Sequence, residues 1–308
     1  MFSSLSKPTY PPYAIGLERD SITALSLKRE GRGRYSIRQA ATLDLPAGLL
    51  SPSFLDQNIA DPHEFGSYII GVRQNAGLLA QKRFSVSLPS NAARTAILTL
   101  ETEPSARKEA EEILDWKAEQ SFGAPAAEMR IAKQKISPSR DGKSRYFASA
   151  VKLAVIDEYE TVFESYGLRA GLIMPRAIGE ANWISSAQSD RDALLISSQS
   201  DGFTALLLRG EEPVVVRSVT CLPSEIDDEV YRLLMFYNDR ISGESGGYLE
   251  KMLLVGKDLI PGKIKEIAAE ALGRTLQILL PEDVGLFIPD GGFSFDEIAA
   301  PAGLASLG

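Results

Sequence analysis

The sequence predicts an α/β protein built from a duplicated unit, with a small subdomain inserted into the first copy. Three observations predict it. Strand-like and helix-like runs alternate from end to end. The order strand, strand, strand, helix, strand occurs twice. Finally, DSITALSLKREG at 20–31 matches DGFTALLLRGEE at 201–212, sharing Thr-Ala-Leu at 23–25 and 204–206, an offset of 204 − 23 = 181 residues. Each copy is then expected to lay helices over a mixed sheet and to leave a cleft against the other.

In the first copy, residues 13–18, 22–28 and 34–43 read as three strands joined by short turns. A helix follows from Pro62 to Ala76, with Asp61 as N-cap, and then a strand at 83–89. The segment 94–150 reads as the insertion: RTAILTLE as a strand, 105–122 as a helix, and RIAKQKIS and RYFASAVK as strands around the turn-rich SPSRDGK. Ser105, after the EP turn, is the expected N-cap of that helix. Val155, Tyr159, Val162, Phe163 and Tyr166 fall at steps of 3 and 4, an amphipathic helix over 154–166 that Gly167 closes. A strand at 170–174 and a helix at 176–185 lead into the linker-like SSAQSDRD. ALLISS, TALLLRG and PVVVRSVT then form the second three-strand run. The following helix buries Ile226, Val230, Leu233, Leu234, Tyr237 and Ile241 on one face. KMLLVG, PGKIKEIAAEAL and QILL complete the copy as strand, helix and strand.

Composition narrows the function. At 308 residues and 44% hydrophobic content the chain can bury a full core. Its 33 Lys and Arg against 41 Asp and Glu give a net charge of −8, which opposes binding to nucleic acid or to an anionic lipid surface. The basic stretch KREGRGRYSIR at 28–38 is Gly-punctuated and reads as a solvated hairpin tip. One cysteine, Cys221, and one histidine, His63, leave no disulfide, zinc cluster or Cys/His pair to build. His63 belongs on the surface of a first helical turn. No apolar run reaches the roughly 18–20 residues that span a bilayer, and MFSSLSKPTYPPY lacks the apolar region of a secretion signal. A cytoplasmic protein is expected.

Several stretches carry a family resemblance. AEEILDWKAEQSFGAP at 110–125 resembles the inserted-subdomain helix of the PilM family of type IV pilus assembly proteins, which have the actin-like (ribonuclease H-like) fold of two βββαβα domains. FSVSLPSNAARTAILTLE resembles the strands before that helix, and RSVT with VYRLLMFYNDR resembles part of the second domain. AAPAGLASLG is similar to the family's final small-residue helix. The cytoplasmic region of the type II secretion protein GspL is similar too. The resemblance implies a lead-in at 1–12, a first actin-like domain at 13–188 with the insertion at 94–150, and a shortened second domain at 189–308 whose last helix returns to the first.

In the family, the first hairpin carries an Asp, one residue, then a Gly. The Asp orients metal and water, and the Gly lets backbone amides close on phosphate. The resemblance lays these places on Gly16 and Glu18, and 181 residues on at Ser197 and Gln199, so both carboxylates and both glycines are missing. The Gly-rich turn under the adenine is reduced to Gly256, and only about 30 residues separate Thr220 from Lys251 where a flanking helical segment belongs. No cofactor and no metal are expected. The alternative is an ATP-binding protein or ATPase that uses Asp20, Asp201 and Lys257, with Mg²⁺, in a shifted register. Against that, Asp20, Asp201, Asp192 and Asp258 read as turn or loop-edge residues. The DGG at 290–292 lacks the GK(S/T) of a P-loop.

Family members clasp the cytoplasmic tail of the inner-membrane protein PilN between the first subdomain and the inserted one. The resemblance places the groove walls at 94–101 and 105–122, with Trp116 as the main contact and Leu98, Leu100, Ile113 and Phe122 beside it. The implied function is a non-catalytic adaptor, a pseudo-ATPase held at the inner membrane through a PilN-like tail and other pilus or secretion platform proteins. It needs no nucleic acid and no membrane insertion of its own.

Overall fold

The structure, a computed structural model, describes residues 9–102, 104, 106–186, 191–241, 248–289 and 292–308. Strands β1 (Tyr13–Leu17), β2 (Ser21–Gly31) and β3 (Arg34–Asp44) form the first meander. Then come α1 (Pro62–Asn75), β4 (Arg83–Leu88), the insertion β5 (Arg94–Thr99), α2 (Arg107–Phe122), β6 (Met129–Ile136) and β7 (Arg145–Lys152), and α3 (Leu153–Ser165), β8 (Arg169–Pro175) and α4 (Arg176–Ser186). The second meander is β9 (Asp192–Gln199), β10 (Gly202–Arg209) and β11 (Glu212–Thr220). It is followed by α5 (Ile226–Arg240), β12 (Leu249–Val255), α6 (Pro261–Leu272), β13 (Gln277–Leu279), β14 (Leu286–Phe287) and α7 (Phe295–Ala305).

These strands make a six-stranded sheet in the order β14-β3-β2-β1-β4-β8, a five-stranded sheet in the order β11-β10-β9-β12-β13, and a three-stranded inserted sheet in the order β5-β7-β6. The duplication is visible in register. Gly16 pairs with Thr23 and Leu17 with Ile22, while Ser197 pairs with Thr204 and Ser198 with Phe203, each position advanced by 181. Continuous apolar runs such as ALLI at 193–196 are buried on both faces, as sheets covered by helices require.

Local chemistry sets the ends. The Asp61 side chain accepts from the His63 and Glu64 amides to cap α1, with Pro62 at its first position and His63 exposed. Gly167, at φ 68°, closes α3. Ser105 and residues 187–190 of the expected linker lie outside the described residues, as do 290 and 291 of the DGG turn and most of the 1–12 lead-in. Two features differ from the sequence reading. β14, only two residues long, joins β3 of the first sheet, because a strand that short carries no periodicity. Asp192 is 1% exposed rather than at a loop edge: it accepts two bonds from Arg209, at 2.7 and 2.8 Å, and one from the Tyr237 hydroxyl at 2.9 Å. Among the described residues, no helix is long and apolar enough to cross a membrane.

One hydrophobic core joins the halves. It draws Ala14 and Leu25 from the first sheet, Leu195, Leu206 and Leu253 from the second, and α4 and α7 from between them. α4 and α7 cross at Gly179 and Gly303, whose lack of side chains lets the backbones touch. Trp183 Nε1 donates to the Ala299 carbonyl at 2.8 Å and Asn182 Nδ2 to that of Gly303 at 3.1 Å.

Candidate functional site

The cleft between the halves, about 190 Å³, lies where the two hairpin turns meet. Arg19 donates to Ser200, 181 residues away, at 3.1 Å, so equivalent turns touch each other directly. Asn91 Nδ2 donates to both carboxylate oxygens of Asp201, at 2.9 and 2.7 Å. Asp258 accepts weakly from Ser198 at 3.4 Å. On the far wall, the amide of Gly256 donates to Asp296 Oδ1 at 2.6 Å, and Lys257 Nζ lies 4.0 Å from Glu297. Both acids belong to the first turn of α7. Gly256 has φ 131°, and a Cβ there would come within 2.6 Å of Ser198, so only glycine permits this approach.

The positions expected to line the cleft divide. Glu18, Gln199 and Gly256 line it, whereas Gly16 and Ser197 do not. Ser197 is 0% exposed, clamped between Thr204 and Val255 in the sheet. Gly16 lies beneath Pro301, whose Cγ would stand 2.8 Å from any Cβ placed there. The physical reason is that β1 stays paired through Leu17 and the turn only begins at Glu18. The turn that faces the cleft therefore runs from Glu18 to Asp20, and the stretch 181 residues on runs from Gln199 to Asp201. Of the expected places, Gly16 and Ser197 thus belong to the sheets and not to the cleft.

Glu18 is held by a buried cation. Arg176, the first residue of α4 and 6% exposed, donates to Glu18 Oε2 at 3.0 Å and to Glu180 Oε1 at 2.6 Å. One guanidinium thus serves two carboxylates. Burial pushes the Glu18 carboxyl up from 4.5 to about 7; Arg176 opposes this, while Glu180 and Asp20 add to it. Burial acts to lower the Arg176 pKa, but the two carboxylates outweigh it and keep the guanidinium charged. Five carboxylates and three cations line the cleft as a whole. Among the described residues, no group of three or more His, Cys, Asp or Glu side chains is placed to hold a metal.

The expected tail groove is not assembled as the resemblance placed it. Leu98, Leu100 and Phe122 are 1–2% exposed, packed with Leu114, Ala118 and Ala148 in the core of the inserted subdomain, and Ile113 is half-buried against the same core. They face inward because α2 covers this face of the inserted sheet. Of the five, Trp116 alone is open, 57% exposed on the outer side of α2. A groove of about 220 Å³ does open between the first domain and the insertion, on the other face of the small sheet. Its floor is Ala132 and Ser149, with Arg130 and Val151 beside them, and its walls are Ile156 and Glu160 of α3 and Leu172 to Pro175 of β8. β8 is an edge strand of the large sheet, so its outer backbone groups face this groove. Arg130 spans the mouth to Glu160 in a two-pronged ion pair at 2.6 and 2.8 Å. The sequence signal was the row of small side chains, Ala132 opposite Ser149.

Compared with solved structures, the chain matches one from a PilM–PilN type IV pilus biogenesis complex, with TM-score 0.75 and 16% identity over 97% of this chain and 98% of that one. It also matches the cytoplasmic domain of EpsL, an inner-membrane component of the type II secretion system of Vibrio cholerae (TM-score 0.47, 12% identity, 91% and 86% covered). A further match is the ethanolamine utilization protein EutJ from Carboxydothermus hydrogenoformans (TM-score 0.48, 10% identity, 98% and 92% covered). No family model and no curated protein sequence matches the chain. At these identities the likeness is one of fold. The fold is the actin-like one the sequence resemblance implied.

Proposed function

We propose that this chain is a non-catalytic adaptor of a pilus or secretion assembly platform, and that it holds the extended cytoplasmic tail of a PilN-like inner-membrane protein in the groove between β8 and the inserted sheet. The observation that carries this reading is the groove itself. It joins small floor residues to a free strand edge, so a peptide backbone can approach closely and pair. The fold shared along the whole length with a chain of the PilM–PilN complex supports it. In this reading the protein sits in the cytoplasm and reaches the membrane through its partner.

Calorimetry with a synthetic tail peptide from a neighbouring membrane protein tests the groove. Ala132→Trp fills the floor and is expected to weaken binding about 100-fold. Trp116→Ala, on the other side of the small sheet, is expected to leave it unchanged. If Ala132→Trp binds as well as the natural chain, the assignment fails.

The pseudo-ATPase part of the proposal rests on the cleft. The Gly256 amide that a phosphate would use is taken by the Asp296 carboxylate. Five carboxylates against three cations line the cleft, and the net charge of the lining repels a polyphosphate. Asp201, which the ATPase alternative needs for metal, is bound through both oxygens by Asn91. No thermal shift is therefore expected with millimolar Mg-ATP. A nucleotide at 100 times its Kd would add about 2.7 kcal/mol of stability, and a shift of that size would restore the ATPase alternative.

A further inference from the structure

A second groove lies on the outer face of the insertion, about 640 Å³ in volume, between α2 and β6. Its floor is apolar, with Met129 and Ile131 of β6 and Ala126 and Ala127 of the turn before it. Its α2 wall is the row Glu112, Asp115, Trp116 and Glu119, which successive helical turns bring onto one face. Glu112 precedes Trp116 by four residues and Glu119 follows it by three, so a carboxylate stands one turn to either side of the indole. Three carboxylates and one ammonium line the groove; that ammonium, Lys133, is already bound to Asp115 at 2.5 Å. Glu112 makes a long 3.7 Å contact with the exposed Lys108, and Glu119 accepts from the Ala126 amide at 2.8 Å. An exposed indole with carboxylates above and below suits a guanidinium or ammonium stacked on its face.

The third wall is backbone. β6 pairs with β7 on one side only and is the edge of the inserted sheet, so its outer amides and carbonyls have no strand partner among the described residues. Its odd-numbered residues, Met129, Ile131 and Lys133, face this groove, while Arg130 and Ala132 face the tail groove. We propose that β6 and the Trp116 row form a second docking surface, which takes an extended partner segment of alternating basic and apolar residues as an added strand on the β6 edge. Backbone pairing supplies the register. Basic side chains meet Trp116, Glu112 and Glu119, and apolar ones turn to the opposite side of the added strand. The two grooves share β6 but open on opposite faces of its sheet, so an adaptor built this way can hold two segments together.

The probe is the peptide acetyl-Arg-Val-Arg-Val-Arg-Val-amide, with its Glu-Val counterpart as control. Trp183 is 1% exposed, so a change in tryptophan emission reports Trp116. The expected result is binding of the basic peptide with a shift of emission to shorter wavelength, and none by the acidic one. Glu112→Gln with Glu119→Gln should weaken it about tenfold. Glu266→Gln with Glu270→Gln, the same loss of charge on α6, should not. Ala132→Trp should leave it intact, so failure here is separable from failure at the tail groove. N-methylation of alternate peptide amides should abolish binding in one of the two registers. The proposal is overturned if the basic peptide fails to bind at millimolar concentration, if the acidic peptide binds equally, if the α6 variant loses as much as the α2 variant, or if both N-methylated forms bind normally.

Discussion

Arg176→Met is expected to cost about 3–5 kcal/mol of folding stability at pH 8, because it leaves the buried Glu180 and the half-buried Glu18 without their shared cation. Methionine keeps most of the volume, so the loss reads out charge rather than packing. Its pH dependence has a definite sign. The Glu18 carboxyl is raised in the folded protein from 4.5 to about 7, so the stability linked to its proton is present below about 4.5 and lost as pH rises through about 7. Removing the cation makes that proton still more valuable, so the deficit should grow from pH 6 to pH 9, and adding Glu18→Gln should recover part of it. Urea denaturation at several pH values measures this. A deficit under about 1 kcal/mol, or one flat with pH, would mean that the triad is solvated in solution.

Gly303→Val is the second large effect. A Cβ at 303 would run into the Gly179 carbonyl, which belongs to backbone and cannot rotate away. Valine must push α4 from α7 and open the core that both halves share, at a cost of about 4 kcal/mol or more. For a chain of this size that corresponds to a fall in Tm of about 6 °C. Calorimetry would contradict the tight crossing if the midpoint moved by less than about 3 °C.

The duplication was legible because it is written in paired strands. Thr23 and Thr204 recur at the same register opposite Gly16 and Ser197, and an offset in sequence becomes an offset in space. Helix ends were legible where a cap is local, as at Asp61 and Gly167. What failed was anything set by a distant partner. Gly16 and Ser197 lie in the sheets rather than in the expected cleft; for Gly16 it is the pairing of Leu17 with Ile22, not the local sequence, that decides where the turn begins. Asp192 reads as a turn residue until Arg209 and Tyr237 arrive to bury it. Leu98, Leu100 and Phe122 have the composition of a binding surface and of a core alike, and the packing of α2 over the small sheet alone decides for core. The groove at Ala132 and Ser149 depends on β8, some twenty residues past Ser149, and no local periodicity announces it.

The return of β14 and α7 to the first sheet has a consequence for biosynthesis. Strands β1 to β4 are made early, yet one face of their sheet is covered by α7, and Pro301 is seated on Gly16. Until residues 295–305 leave the ribosome, the nascent amino-terminal half carries an uncovered apolar face. The first sheet is therefore closed only when residues 295–305 dock on it, a contact of high sequence separation: Gly16 and Pro301 are 301 − 16 = 285 positions apart.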